Sequence, residues 1–182
     1  MSFINTRPFR LLFVGRPVVE KGLNDLLLAL SMVASFDWTL TIVGELPPIN
    51  DIPEILSVLH SENVRCIGAV NNSRICELLN QHDILIVPSH YENFGNIVIE
   101  AMACGKAIIA AKTGGLKGLI RDHHNGLHCI PKDPQDLAAK LKMIFEDPEL
   151  IDTLGAEAIV DARQYAWPSV LRATLILFNQ YL

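Results

Sequence analysis

Apolar residues gather in six short runs, over 11–14, 40–43, 64–67, 84–87, 107–110 and 126–129, many of them β-branched. Runs of this length, bounded by turn formers, fit strands covered on both faces, as in a parallel sheet. Between them apolar positions recur with a helical period over 22–35, 52–62, 73–81 and 96–104, with a shorter piece over 116–121. Strand and helix therefore alternate. Parallel strands need crossover connections and those crossovers are right-handed, so the economical arrangement is an α/β fold. The pattern predicts a Rossmann-like open parallel sheet of about six strands with helices on both faces.

Beyond the last strand the pattern is helical only. Asp133-Pro134 and Asp147-Pro148 each set a capping carboxylate before a proline suited to the first helical position, predicting helices over 134–146 and 148–163. A third helix is expected over 168–182, with an apolar face of Val170, Leu171, Leu175, Leu177 and Phe178. No internal repeat, low-complexity tract or linker interrupts the chain, so residues 1–182 read as one domain.

Composition narrows the class. The 182 residues are 50% apolar, which suits a globular core and excludes intrinsic disorder. A net charge of −5, with no cluster of Lys and Arg, offers no surface for nucleic acid. The longest uncharged stretch, 26–36, is too short to span a bilayer, and the N-terminus carries no apolar leader with a cleavage site. A cytoplasmic protein without a transmembrane segment is the expectation. Cys66, Cys76, Cys104 and Cys129 are widely spaced among apolar neighbours and read as buried free thiols. The sequon-like Asn71-Asn72-Ser73 is discounted, since nothing else points to secretion.

In open α/β sheets ligands bind beyond the carboxyl ends of the strands. The loop after the first strand, Gly15-Arg16-Pro17-Val18-Val19-Glu20-Lys21-Gly22, sets a guanidinium and an ammonium before a helix N-terminus. That combination suits a phosphate, although a solvated charged loop would read the same. The loop after the fourth strand, Pro88-Ser89-His90-Tyr91-Glu92-Asn93-Phe94-Gly95-Asn96, leads into a helix carrying Glu100. Asn96 and Glu100 then share one helical face at the end nearest the crevice, and both Glu92 and Glu100 can turn toward one ligand. Carboxylates beside a phosphate need another task; accepting hydrogen bonds from a sugar or ribose diol is one that fits. An ordinary surface pair is the alternative.

Four blocks carry a resemblance to a known family: Phe13-Val14-Gly15-Arg16 with Lys21-Gly22; Trp38-Thr39-Leu40-Thr41-Ile42-Val43-Gly44; Asp83 to Ser89; and Glu92-Asn93-Phe94-Gly95-Asn96-Ile97-Val98-Ile99-Glu100-Ala101-Met102-Ala103-Cys104-Gly105. With Gly114-Gly115 and Asn125-Gly126 they make the chain similar to the C-terminal, donor-binding domain of retaining family 4 glycosyltransferases (glycosyltransferase group 1), which have the two-domain GT-B fold. The resemblance implies that Arg16 and Lys21 hold the donor diphosphate, that Glu100 accepts the ribose hydroxyls and that Glu92 holds the donor sugar beside the reacting ring. It further implies that backbone groups around Phe94, Gly95 and Asn96 meet sugar and phosphate, that Gly15 and Ile97 complete the donor-binding set, and that the base lies near Ile67. No metal or other cofactor is implied; the nucleoside-diphosphate sugar is the substrate. Glu92 would act as a positioning and charge-stabilising group, with the leaving diphosphate helping to deprotonate the acceptor on the same face.

The family pattern is not matched everywhere. Lys106-Ala107 follows Gly105 where Gly-x-Pro is common, Gly118 stands where Glu often follows the double glycine, and Leu46 replaces a second glycine. The family also needs an N-terminal acceptor domain, which this chain would receive from a missing domain or a partner chain, and any membrane contact would come through that half. A non-catalytic nucleotide-sugar-binding module and a GT-B epimerase or phosphorylase relative stay open as alternatives.

The remaining candidates have plainer expectations. His123, His124 and His128 are split by the Asn125-Gly126 turn and read as a solvated loop, not a metal cluster. His90 reads as a surface residue or as a hydrogen-bonding partner of the sugar or its neighbours. Trp38 and Trp167 read as packing residues, and Gly114-Gly115 as a close backbone approach bordering the donor pocket.

Overall fold

The computed structural model describes residues 7–16, 18–45 and 62–179. Six strands form one sheet: β1 (Phe9–Val14), β2 (Trp38–Val43), β3 (Val64–Cys66), β4 (Ile84–Val87), β5 (Ala107–Ala111) and β6 (Leu127–Cys129). The order is β3-β2-β1-β4-β5-β6 with every pairing parallel. Among the described residues the helices are α1 (Leu23–Met32), α2 (Asn72–Gln81), α3 (Asn96–Ala103), α4 (Leu116–Leu119), α5 (Pro134–Glu146), α6 (Glu149–Ala162) and α7 (Trp167–Asn179). The Rossmann-like reading is therefore correct. The helix expected over 52–62 lies, apart from Glu62, outside the described residues, as do 180–182.

The unbroken apolar runs are explained by two cores. Along β4, Ile84 and Ile86 join the cluster under α1 and α5, whereas Leu85 and Val87 join the one under α2, α3 and α4. β5 divides in the same way, with Ala107, Ile109 and Ala111 on one side and Ile108 and Ala110 on the other. Successive side chains point to opposite faces, and here both faces are dry.

Asp83, at the foot of β4, ties that strand to β1. Its carboxylate accepts hydrogen bonds from Arg7 Nη1 (2.9 Å), Arg10 Nη2 (2.8 Å) and the Arg10 backbone N–H (3.0 Å), with only 9% of the side chain exposed. Burial alone would raise its pKa; the bonds from Arg10 and Arg7 outweigh it and hold the group at about 2. A depressed carboxyl stabilises the fold fully above its unfolded pKa and loses that contribution as pH falls through the folded value, here between about 4 and about 2. The shift corresponds to about 2 kcal/mol. Denaturant titrations of wild type and Asp83→Asn should accordingly differ at pH 7 and converge toward pH 2; a constant gap would overturn this account.

The structure corrects several expectations at the C-terminal end. Asp133 caps α5 as expected, accepting from the Asp136 N–H at 3.0 Å, but α6 has no side-chain cap and Asp147 instead offers its carbonyl to Leu150 N–H. Trp38 is buried, yet Trp167, the first residue of α7, is 84% exposed, because the main neighbour of that helix is the short 3₁₀ turn Arg163–Tyr165 and not the sheet. Leu171, Leu175, Ile176, Leu177 and Phe178 are exposed along it.

His128 is not solvated. Its position on β6 draws it inward, where its ring nitrogens lie 3.0 Å from Ile120 O and 3.3 Å from Ala110 O. Of the cysteines only Cys129 is buried, its thiol pushed up to about 12 by burial. Cys66 ends an edge strand, and Cys76 and Cys104 meet where α2 faces α3, their sulfurs 3.7 Å apart. Cys76 is exposed there, while burial raises Cys104 to about 11.

Candidate functional site

The chain order of the strands reverses direction at β1, which lies between β2 and β4, so the loops leaving β1 and β4 open side by side at the carboxyl end of the sheet. This is the crevice that the topology makes available to a ligand. Their contact is intimate. Gly22 has φ +70°, and a Cβ added there would fall 2.1 Å from the Pro88 carbonyl oxygen, so no side chain fits between the two loops. The same glycine follows a short 3₁₀ turn, Val19–Lys21, that carries the Lys21 side chain toward the other loop.

Lys21 Nζ and Glu92 Oε2 lie 2.5 Å apart, with 28% and 17% of the two side chains exposed. The third participant is the loop after β5. Gly114 has φ +44° and its would-be Cβ lies 1.9 Å from Glu92 O, while Gly115 N–H donates to that same oxygen at 2.9 Å. The double glycine thus lets the β5 loop pass directly beneath Glu92, so the close approach expected of it is present. Gly95 is the N-cap of α3 and no side chain caps this helix, so its first-turn N–H groups, those of Asn96 and Ile97 among them, have no partner within the helix.

Asn96 and Glu100 do share a face. Both line a cleft of about 390 Å³ together with Phe94, Ile99, Tyr165, Trp167 and Val170. Glu100 also borders a second cleft of about 310 Å³ beside Asn72, Cys76 and Cys104. Burial pushes its carboxyl above the usual carboxylate range, and hydroxyl donors that replace the lost water would favour its ionised form. Glu92, in contrast, is engaged by Lys21, so the two carboxylates are not turned to one ligand in this conformation.

The other expected residues are placed as follows. Gly15 continues β1, its N–H donating to Val43 O at 2.9 Å, and its would-be Cβ lies 3.7 Å from Lys21 Cδ. Arg16 is exposed in the same loop and makes no ion pair among the described residues. Ile67 follows β3, separated from β4 by β2 and β1, and packs with Ile97 and Ile99 against the α2–α3 side of the core. Phe94 is half-exposed at the cleft. His90 is neither a surface residue nor open to a ligand through its Nε2, which lies 2.6 Å from Asp25 Oδ2. Sequence reasoning missed Asp25, Thr113 and the Tyr165–Trp167 wall; only the acidic residue in the first turn of α1 could have drawn attention. Among the described residues no group of three or more His, Cys, Asp or Glu could hold a metal ion.

Comparison with known proteins decides the family. Residues 2–160 match the family model described as glycosyl transferases group 1. The chain belongs to this family. A glycogen synthase of Mycobacterium tuberculosis is 34% identical over 148 residues, covering 79% of this chain and 35% of the relative. The structure of Anabaena HepE in complex with UDP-glucose superposes with a TM-score of 0.82 at 26% identity, over 96% of this chain and 49% of that one. The C-terminal domain of the group 1 protein LpcC from Francisella tularensis matches with a TM-score of 0.77 at 27% identity, over 87% of each chain. This group 1 glycosyl transferase chain thus spans less than half the length of that glycogen synthase and about half that of HepE, and most of a solved C-terminal domain.

Proposed function

We propose that this chain is the donor-binding half of a retaining glycosyltransferase, taking a nucleoside-diphosphate sugar and passing its sugar to an acceptor held by a second domain or partner. The observation that carries the reading is the Lys21–Glu92 pair at the junction of the β1 and β4 loops, where a cation and a carboxylate stand ready to exchange partners. A diphosphate arriving there takes Lys21 and the exposed Arg16, helped by the unpartnered N–H groups of α3. Glu92 is then released toward the sugar, where its negative charge accepts a hydroxyl and favours the positive charge that develops at the anomeric carbon. The leaving diphosphate receives the acceptor proton on the same face, so configuration is retained. Glu100, four residues beyond Asn96, accepts the ribose diol. No metal is assigned a role.

HepE, solved with UDP-glucose, supports a nucleotide-sugar ligand by likeness. The test is calorimetry of the chain against a panel of nucleoside diphosphates and their sugar conjugates, with and without chelator. Binding that survives chelator is expected, with one base preferred. Transfer to an acceptor is expected only when the acceptor half is supplied, because holding both reactants in geometry contributes roughly 7–11 kcal/mol. Failure of every nucleotide to bind would overturn the reading, and acceptor-independent interconversion of sugar nucleotides would replace it with an epimerase.

A further inference from the structure

Two bridges, not one, join the β1 and β4 loops. Lys21 meets Glu92, and His90 meets Asp25, whose carboxylate sits in the first turn of α1. His90 is two residues from Glu92, and Asp25 is four from Lys21, so the bridges run side by side between the same two segments. They differ in what a ligand does to them. On the donor-site reading above, on which this inference rests, the first bridge must open when a diphosphate takes Lys21. The second contains no group that the donor needs, and it can stay closed while the first exchanges partners.

His90 is anchored on all sides. Its N–H donates to Glu20 O at 2.8 Å, its carbonyl accepts from Thr113 Oγ1 at 3.1 Å, and its Nε2 reaches Asp25 Oδ2 at 2.6 Å. One residue thereby ties together the loops leaving β1, β4 and β5. An ionised carboxylate only accepts, so Nε2 must carry the proton, which fixes the ring's orientation. The two side chains are 16% and 18% exposed, so water competes for the bond less than it would on an open surface.

We infer that His90, oriented by Asp25, is a positioning residue that holds the Glu92 loop in register with the phosphate loop while Lys21 changes partner. Without it, Glu92 keeps the backbone bond from Gly115 but loses its tie to α1. The bare nucleoside diphosphate, gripped by Arg16, Lys21 and Glu100, is little affected. The step that needs Glu92 in place slows.

The experiment is steady-state transfer by the enzyme complete with its acceptor half, alongside calorimetry with the nucleoside diphosphate alone. His90→Ala is expected to lower kcat about 10- to 100-fold, since displacement of a reacting group by about an ångström has effects of that size. Nucleoside diphosphate affinity should stay within about threefold, since none of its charge-assisted bonds is touched. His90→Gln, whose amide nitrogen reaches as far as Nε2, should recover most of the rate, whereas the shorter His90→Asn should not. Asp25→Ala should mimic His90→Ala, and the double variant should be no slower than either single one.

Equal impairment of the Gln and Asn variants, or losses that multiply in the double variant, would overturn the inference. So would an unimpaired His90→Ala in an enzyme that Glu92→Ala cripples. An unimpaired Glu92→Ala would instead bring down the donor-site reading, and this inference with it.

Discussion

Alanine at both Arg16 and Lys21 is expected to weaken nucleoside diphosphate binding by about 100-fold or more. Each side chain offers a charge-assisted hydrogen bond worth about 1.5–3 kcal/mol, so the pair supplies about 3–6 kcal/mol, and every 1.4 kcal/mol is tenfold. Part of the Lys21 gain is offset because it must first leave Glu92, a partly exposed pair of the kind worth about 1 kcal/mol or less. Lys21→Ala should therefore cost less in the wild-type background, where Lys21 must first give up Glu92, than in Glu92→Ala, where it is free for phosphate, a difference that calorimetry on the four variants reads directly. Unchanged affinity in the Arg16→Ala/Lys21→Ala protein would remove the phosphate site from these loops.

Glu92→Ala should do opposite things to binding and to turnover. Its removal releases Lys21 for phosphate, so the bare nucleoside diphosphate is expected to bind a few-fold more tightly, within the roughly 1 kcal/mol that such a pair contributes. Transfer in the complete enzyme should fall about 100- to 1,000-fold, the usual size of losing one preorganised group aimed at charge that forms in the transition state. Glu100→Ala should separate from it by weakening nucleoside diphosphate and sugar conjugate alike. Equal losses of the bare nucleotide in Glu92→Ala and Glu100→Ala would mean that the two carboxylates do not divide the donor between them.

The fold was legible because its signals are local. A strand buried on both faces must be apolar at consecutive positions, and β4 and β5 are; a helix lying on a sheet must repeat its apolar side about every turn, as α1 and α5 do. Asp133 announced α5 by the same logic, since a cap bonds only three residues away. The motif from Glu92 to Glu100 also sits on one loop and the helix it starts, so the shared face of Asn96 and Glu100 could be read from spacing alone.

What spacing does not contain is which loops become neighbours. Lys21 and Glu92 are 71 residues apart and His90 and Asp25 are 65 apart; they meet only because β1 pairs with β4 in the sheet. The same holds for His128, which a turn-rich sequence marks as solvated until β6, which carries it, pairs with β5 and sets its ring against the Ile120 and Ala110 carbonyls. Trp167 shows the converse, an apolar residue left outside because α7 has no face of the sheet beneath it. From its own residues the chain determined its layers, its strand and helix order and the chemical types at its crevice. The tertiary structure alone decided the partners of those groups, because short-range geometry sets secondary structure while the pairing of distant strands sets which charges come within 3 Å of one another.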